Sequence, residues 1–368
     1  MKKKNLCKTL LKTMCIVLGI LILALLAYIV YLYASYYRIE DNQELVVEAP
    51  VDDTTTGAAA VLATDTEYSA VTYNIGFGAY LPDYSFFMDG GTSSWAESPE
   101  TVQYAINGAG ELVKSLDPDF ALIQEIDLDA TRSYHTDEYE MLRNLLQEYT
   151  TVFAQNYDSA FLFYPFTQPH GSSRAGLGLF SKYPVSSALR RSFPISTSFS
   201  KFFDLDRCYS VSRIPVDNGK ELVIFNLHMS AYGNSDEIRK GQIEMLCNDM
   251  AKEYEAGNYV LCGGDFNHDL KASEEDTESC ESWAFPFPRT ELPEHFAFCL
   301  DLLSSEEQAA LWNSARNADM EYVPGVTYTV TLDGFIISDN IECLSYENVN
   351  TGYSYSDHDP VKVEFALK

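Results

Sequence analysis

The sequence predicts a mixed α/β domain, with sheets covered by helices, behind a single apolar N-terminal helix. Three observations predict it. From Tyr68 onward, short runs rich in β-branched and aromatic residues alternate with longer runs of helical character. Upstream, Thr13 to Tyr37 is free of charge and mostly apolar. Charge is also divided along the chain. Five of the 25 Lys and Arg lie in the first twelve residues and none of the 54 Asp and Glu precedes Glu40, so residues 38–368 hold 20 basic against 54 acidic groups. That is a net −34 inside a whole-chain −29. With 46% hydrophobic and 13% aromatic residues among 368, the chain has ample material for a core, and wholesale disorder is excluded. The acidity argues against a phosphate-gripping nucleic-acid binder, which needs basic surface.

The first element is the apolar stretch at 13–37. At 1.5 Å per residue it is longer than the ~30 Å hydrocarbon core of a bilayer. A cleaved signal peptide is the rival reading, but its apolar region is shorter, roughly 7–15 residues, and ends at a small-residue site. Here the run ends in Tyr28, Tyr31, Tyr33, Tyr36 and Tyr37, an aromatic collar suited to a membrane interface. Lys2, Lys3, Lys4, Lys8 and Lys12 before it, and Arg38, Glu40, Asp41 and Glu44 after it, put the N-terminus inside. The expected organisation is a basic cytoplasmic N-terminus (1–12), a single-pass anchor (13–37), a linker (38–66, including DDTTTGAAA) and an extracytoplasmic domain (67–368). In order, the domain's expected elements are strand SAVTYNI, helix 101–115, strand FALIQE, helix 139–149, then strands AGLGLFS and ELVIFNLH. Helix 236–255, strand YVLCGGDF, helix 306–316 and strands TLDGFIIS and VKVEFAL complete it. Long aromatic loops at 77–95, 157–170, 193–203 and 283–298 intervene, and loops of that length are usually functional.

Chemistry gathers at the strand ends. Asn74 ends SAVTYN, Glu125 ends FALIQE, His228 ends ELVIFNLH, and Asp265 and Asn267 close YVLCGGDFN. Asp333 lies in TYTVTLDGFIIS, and Asp357 and His358 precede the last strand. Side chains at one end of neighbouring strands converge in a cleft. Glu125, Asp265 and Asp357 offer hard oxygen donors suited to Mg²⁺ or Mn²⁺. His228 and His358 can donate to a phosphoryl oxygen or move a proton near neutral pH. Asn74 and Asn267 can orient groups without adding charge. Each taken alone reads as a turn, a cap or a surface residue; the set together reads as a metal-assisted phosphoester-hydrolysing site. Neither a glycine-rich phosphate loop nor a GxSxG elbow occurs.

The order TYN, QE, NLH, GGDFN, LDGF and SDHDPV resembles the endonuclease/exonuclease/phosphatase family, the DNase I-like metal-dependent phosphohydrolases, over about residues 68–368. The resemblance implies a four-layer α/β sandwich of two packed β-sheets flanked by helices, a site at one edge of the sheets, and catalysis with Mg²⁺, or Mn²⁺ in its place. It implies Asn74, Glu125 and Asp357 as metal-site residues and His228, Asp265, Asn267, Asp333 and His358 as catalytic ones, with Asp333 orienting His358. His228 leans away from the family's DNA-repair members. Whether His358 or Asp265 is the general base stays open.

The expected function is a membrane-anchored, extracytoplasmic, metal-dependent phosphoesterase acting on diesters or monoesters. Its partners are a phosphoester substrate, a lipid headgroup or small molecule in preference to nucleic acid, and the membrane through the anchor; the chain is expected to be a monomer. The alternatives are an extracellular nuclease of the DNase I type and a catalytically inactive surface binding protein on the same fold. The loop rings (Tyr80, Tyr84, Phe86, Phe87, Trp95, Phe202, Phe203, Trp283, Phe285, Phe287) either pack the loops or wall a cleft. Arg174, the pair Arg239 and Gln242, and His268 are secondary candidates; His135 and His170 read as surface. The cysteines after the anchor read as small buried hydrophobes, and Cys280 with Cys299 is the pair expected if a disulfide forms.

Overall fold

The computed structural model describes residues 2–52, 61–202, 205–230, 236–273 and 284–368. The chain divides into two compact units, Met1–Arg38 and Ile39–Lys368. The first is one helix, α1 (Lys2–Ser35), long and apolar enough over Leu6–Ser35 to cross a membrane.

The second unit begins with two short strands, β1 (Gln43–Glu44) and β2 (Val47–Glu48). Then follow β3 (Glu67–Asn74), α2 (Pro99–Leu116), β4 (Phe120–Ala130), α3 (Glu138–Leu145), β5 (Thr150–Asp158), β6 (Ser173–Ser181), β7 (Ser187–Ser192), β8 (Cys208–Pro215) and β9 (Glu221–His228). The rest is α4 (Asp236–Glu255), β10 (Tyr259–Asp265), β11 (Phe296–Phe298), α5 (Ser305–Ala310), β12 (Ala315–Arg316), β13 (Thr329–Val330), β14 (Asp333–Ser338), β15 (Ile341–Asn348) and β16 (Val361–Leu367).

Two seven-stranded sheets result, ordered β15-β16-β3-β4-β6-β5-β2 and β1-β7-β8-β9-β10-β14-β11. Their inner faces meet in one core, where Ala70, Phe120 and Leu122 of the first sheet join Leu222, Ile224, Leu261 and Phe335 of the second. A buried polar link crosses it: Gln124 Nε2 donates to Asn226 Oδ1 at 2.8 Å. On the outer face of the first sheet, Tyr73 and Ile123 pack with Val102, Ile106 and Leu142 of α2 and α3. α4 covers the second through Ile243, Leu246 and Met250. The layers are helix, sheet, sheet, helix, the four-layer sandwich expected.

Local sequence explains the helix ends. Ser98 caps α2 by accepting the Thr101 N–H, with Pro99 in the first turn, and the buried Val102, Ala105, Ile106, Ala109 and Val113 recur at helical spacing. Ser304 and Glu307 form a capping box that starts α5. α5 stops at Ala310, short of the expected 316, because Leu311 turns extended and Ala315–Arg316 is drawn into pairing with β13.

The expected linker 38–66 is only partly a linker. β1 pairs with β7 and β2 with β5, so residues 43–48 edge both sheets. The buried Arg190 binds the carbonyls of Ile39 and Glu40, and the Ile39 N–H donates to Asp206 Oδ2 at 2.6 Å. The DDTTTGAAA run lies almost wholly outside the described residues. Cys208, Cys247, Cys262 and Cys299 are buried free thiols; Cys280, and with it the Cys280–Cys299 pairing, lies outside the described residues.

Candidate active site

Strand register assembles one half of the site. β10 runs parallel to β9 with Asp265 opposite His228, and antiparallel to β14 with Asp265 opposite Asp333. The three side chains therefore form a row across the second sheet. The backbone of Gly264, just before Asp265, has φ +147, and a Cβ there would stand 2.0 Å from the Leu227 carbonyl oxygen. Only glycine fits this approach of β10 to β9.

The other half comes from the first sheet. Asn74 ends β3 opposite Gln124. Between Ile123 and Ile126, β4 carries one residue more than its partner β6, and Glu125 adopts φ +57. This bulge turns the Glu125 side chain toward the cleft instead of the sheet face. The segment at 356–358 is held from two sides: the Arg316 N–H donates to Asp357 O, and Ser356 Oγ donates to Asn74 O at 2.8 Å.

All eight candidates meet. Asn74 Nδ2 donates to Glu125 Oε1 (3.2 Å) and Asp265 Oδ2 (3.1 Å), and Asn74 Oδ1 accepts the Gly76 N–H. The Nε2 atoms of His228 and His358 stand 3.5 and 3.8 Å from the same Asp265 Oδ2. His358 Nδ1 bonds Asp333 Oδ2 at 2.7 Å. The Asn267 N–H donates to Asp265 Oδ1, and Asn267 Nδ2 donates to the Met229 carbonyl. Glu125, His228, Asp265, Asn267, Asp357 and His358 line a cleft of about 440 Å³.

Burial and charge set the protonation states. Burial, countered in part by His358, pushes the Asp265 carboxyl up to about 7. Burial pulls the His358 imidazolium down, but Asp333, Asp265 and Asp357 outweigh it and hold the ring well above its ordinary value. His228 is held well below, by burial and then by the charge of Arg207. Charge and burial thus push the two histidines in opposite directions. Burial raises the carboxyls of both Glu125 and Asp357, and the charge of Asp357 adds to the effect at Glu125. Buried carboxylates in such excess, all oxygen donors, suit a hard divalent cation. Asp265, Asp333 and His358 also offer ligand atoms within 4.8 Å of one another. His358 Nδ1 is engaged by Asp333, while Glu125 and Asp357 line the same cleft as further oxygen donors.

Several residues were not legible in the sequence. Ser314 Oγ donates to Asp333 Oδ2 at 2.7 Å and accepts the Leu332 and Asp333 N–H groups. Arg132, Arg207 and Arg316 line the cleft, as does His170, which is buried and neutral, its pKa lowered by burial to about 3, and not a surface residue as expected. Phe77, Tyr80 and Phe86 pack on one another and also wall the cleft, so these rings do both things expected of the aromatic loops. Phe203 and Trp283 lie outside the described residues. The secondary candidates sit elsewhere: Arg174 pairs with exposed Asp129, Gln242 binds Ser230 and the Pro194 carbonyl, and Arg239 lies 4.4 Å over the Phe285 ring. His268 is buried against the Phe266 carbonyl.

A sequence model described as the endonuclease/exonuclease/phosphatase family matches residues 71–302. Among solved structures, an endonuclease/exonuclease/phosphatase from Beutenbergia cavernae is similar with TM-score 0.54 and 16% identity, over 82% of this chain and 72% of that one. One from Bacteroides vulgatus gives 0.53 and 16%, over 83% and 100%. The human Nocturnin catalytic domain, solved with bound sulfate, gives 0.52 and 14%, over 82% and 94%. At these identities the structural likeness is one of fold. No curated protein sequence matches significantly.

Proposed function

The chain belongs to the endonuclease/exonuclease/phosphatase family, and from that premise we propose that it is a divalent-metal-dependent phosphoesterase, held at a membrane by α1 with its catalytic domain outside the cytoplasm. The observation that carries the reading is the row His228–Asp265–Asp333 with His358 docked on Asp333, facing Glu125 and Asp357 across one cleft. A binding protein that had lost catalysis has no need of buried carboxylates and histidines held at such unequal proton affinities.

Glu125 and Asp357 would hold the cation, with Asn74 fixing Glu125 in place. When bound, Mg²⁺ or Mn²⁺ draws charge from the phosphoryl oxygens. Asp265, whose carboxyl titrates near neutrality, takes the proton of the attacking water, and the Asn267 N–H keeps it oriented. His358 carries its proton at neutral pH, so its Nε2–H donates to a phosphoryl or leaving oxygen while Asp333 fixes the ring. Neutral His228 holds the opposite side. This division of roles makes Asp265, not His358, the general base. A cleft of this volume, walled by Phe77, Tyr80 and Phe86 and bordered by Asp89 and Asp319, favours a small phosphoester or a lipid headgroup over a polynucleotide.

The detergent-solubilised chain is expected to hydrolyse bis-p-nitrophenyl phosphate with Mg²⁺ or Mn²⁺ and to stop in EDTA. His358→Ala is expected to lower the rate roughly 10²–10⁴-fold. Activity in EDTA, or full activity in the variant, overturns the reading. Phospholipid headgroup release and plasmid nicking, run side by side, separate the substrate classes.

A further inference from the structure

Three arginines line the cleft, and they differ in what their guanidinium groups touch. Arg132 is bound by Asp127 through two nitrogens, at 3.1 and 2.9 Å, and lies 3.7 Å over the Phe77 ring. Arg316 directs both terminal nitrogens onto backbone carbonyls. Arg207 is only 6% exposed, yet its Nε and one terminal nitrogen, NH1, find no acceptor among the described residues. The neighbouring Asp206 turns its Oδ2 to the Ile39 N–H, 3.8 Å from Arg190. The backbone at Arg207 is fixed on both sides: its carbonyl accepts the Phe193 N–H, and Arg190 donates to the Asp206 carbonyl.

We propose that Arg207 is a substrate-binding residue, its guanidinium fork closing on the non-bridging oxygens of the substrate's phosphoryl group from the His228 side of the cleft. The inference rests on the phosphoesterase reading and adds to it a cation that does not titrate, which the strand-end motifs lack. A guanidinium cannot shed its proton, and a buried charge without a partner destabilises a fold. Such a group persists where a ligand completes it, and its planar donors match phosphate geometry. Arg207 lines the same cleft as His228, which faces Asp265, and among the charges acting on His228 that of Arg207 is the largest.

The test uses the full chain in detergent, with Mg²⁺ held constant, as wild type, Arg207→Met and Arg207→Lys. Inorganic phosphate is titrated by calorimetry, Tm is read without phosphate, and KM and kcat are measured on bis-p-nitrophenyl phosphate. Arg207→Met is expected to weaken phosphate binding and raise KM roughly 10- to 100-fold, with a smaller change in kcat. Arg207→Lys is expected to fall between, since an ammonium cannot fork. Without phosphate, the Tm of Arg207→Met is expected to equal or exceed that of wild type, because an unpaired buried charge has been removed. Wild-type phosphate affinity and KM in Arg207→Met overturn the proposal, as does a lowered Tm, which marks a structural arginine. Those outcomes with an active wild type leave the enzyme reading intact. An inactive wild type that still binds phosphate through Arg207 overturns the enzyme reading and keeps the site.

Discussion

Asp333 is the charged partner of His358 in the proposed mechanism. Its Oδ2 receives both His358 Nδ1 and Ser314 Oγ. Replacing it by Asn keeps the shape and removes the charge that raises the histidine. Because His358 is proposed to act protonated, activity should fall as pH rises through its pKa. Asp333→Asn should move that descending limb of the kcat/KM profile to lower pH and cut the rate roughly 10²-fold or more. A limb that stays in place would show that His358 is not the donor. At this scale the sequence announces a residue when it closes an apolar strand, as Asn74, His228 and Asp265 do. It is silent where a role arises from a loop that carries no motif, unlike the segment at 356–358. Ser314 reaches Asp333 through the strand pairing of the next two residues, and Arg207 enters the cleft ahead of β8 from a loop with no motif around it.

The same split holds for whole elements. Strands buried on both faces, such as β9 and β10, read as continuous apolar runs and are legible. β7 is SALRRS and β15 is IECLSYEN, edge-side strands with polar alternation that no apolar run marks. Their places come from pairing with β8 and β16. The bulge in β4 is equally hidden, since nothing in FALIQEIDLDA signals that Glu125 takes a left-handed backbone. The close approach of β10 to β9 gives an element-scale prediction. Gly264→Ala should destabilise the domain by about 3 kcal/mol or more, through strain and the clash with the Leu227 carbonyl. The midpoint of chemical denaturation measures this; a wild-type midpoint would mean that β10 can shift away.

Over the whole molecule, buried acid couples stability to pH. Asp265 and Asp89 both titrate near 7 when folded, raised first by burial, Asp89 further by Asp357, Glu125 and Asp319. Their unfolded values lie near 4. A folded pKa above the unfolded one favours the folded state at low pH, and that stabilisation fades as pH climbs from about 4 through about 7. The depressed histidines His170 and His228 act in the opposite sense below about pH 6.5, so the contribution is read as a difference. In EDTA, wild type should lose stability relative to Asp89→Asn as pH rises from about 5 to about 8, by an amount on the order of 3 kcal/mol. A level or rising difference would refute the assignment of Asp89 as an uncompensated buried carboxyl. The pairing of β1 and β2 with opposite sheets bears on how the domain would leave a membrane, if α1 holds it there as proposed. A protease cutting anywhere in 53–60 would sever the chain without shedding the enzyme, because the stub attached to α1 remains stitched into both sheets. On the proposed anchoring, release requires scission ahead of Ile39, in the three residues that follow Ser35, and a chain nicked at 53–60 keeps its domain joined to α1.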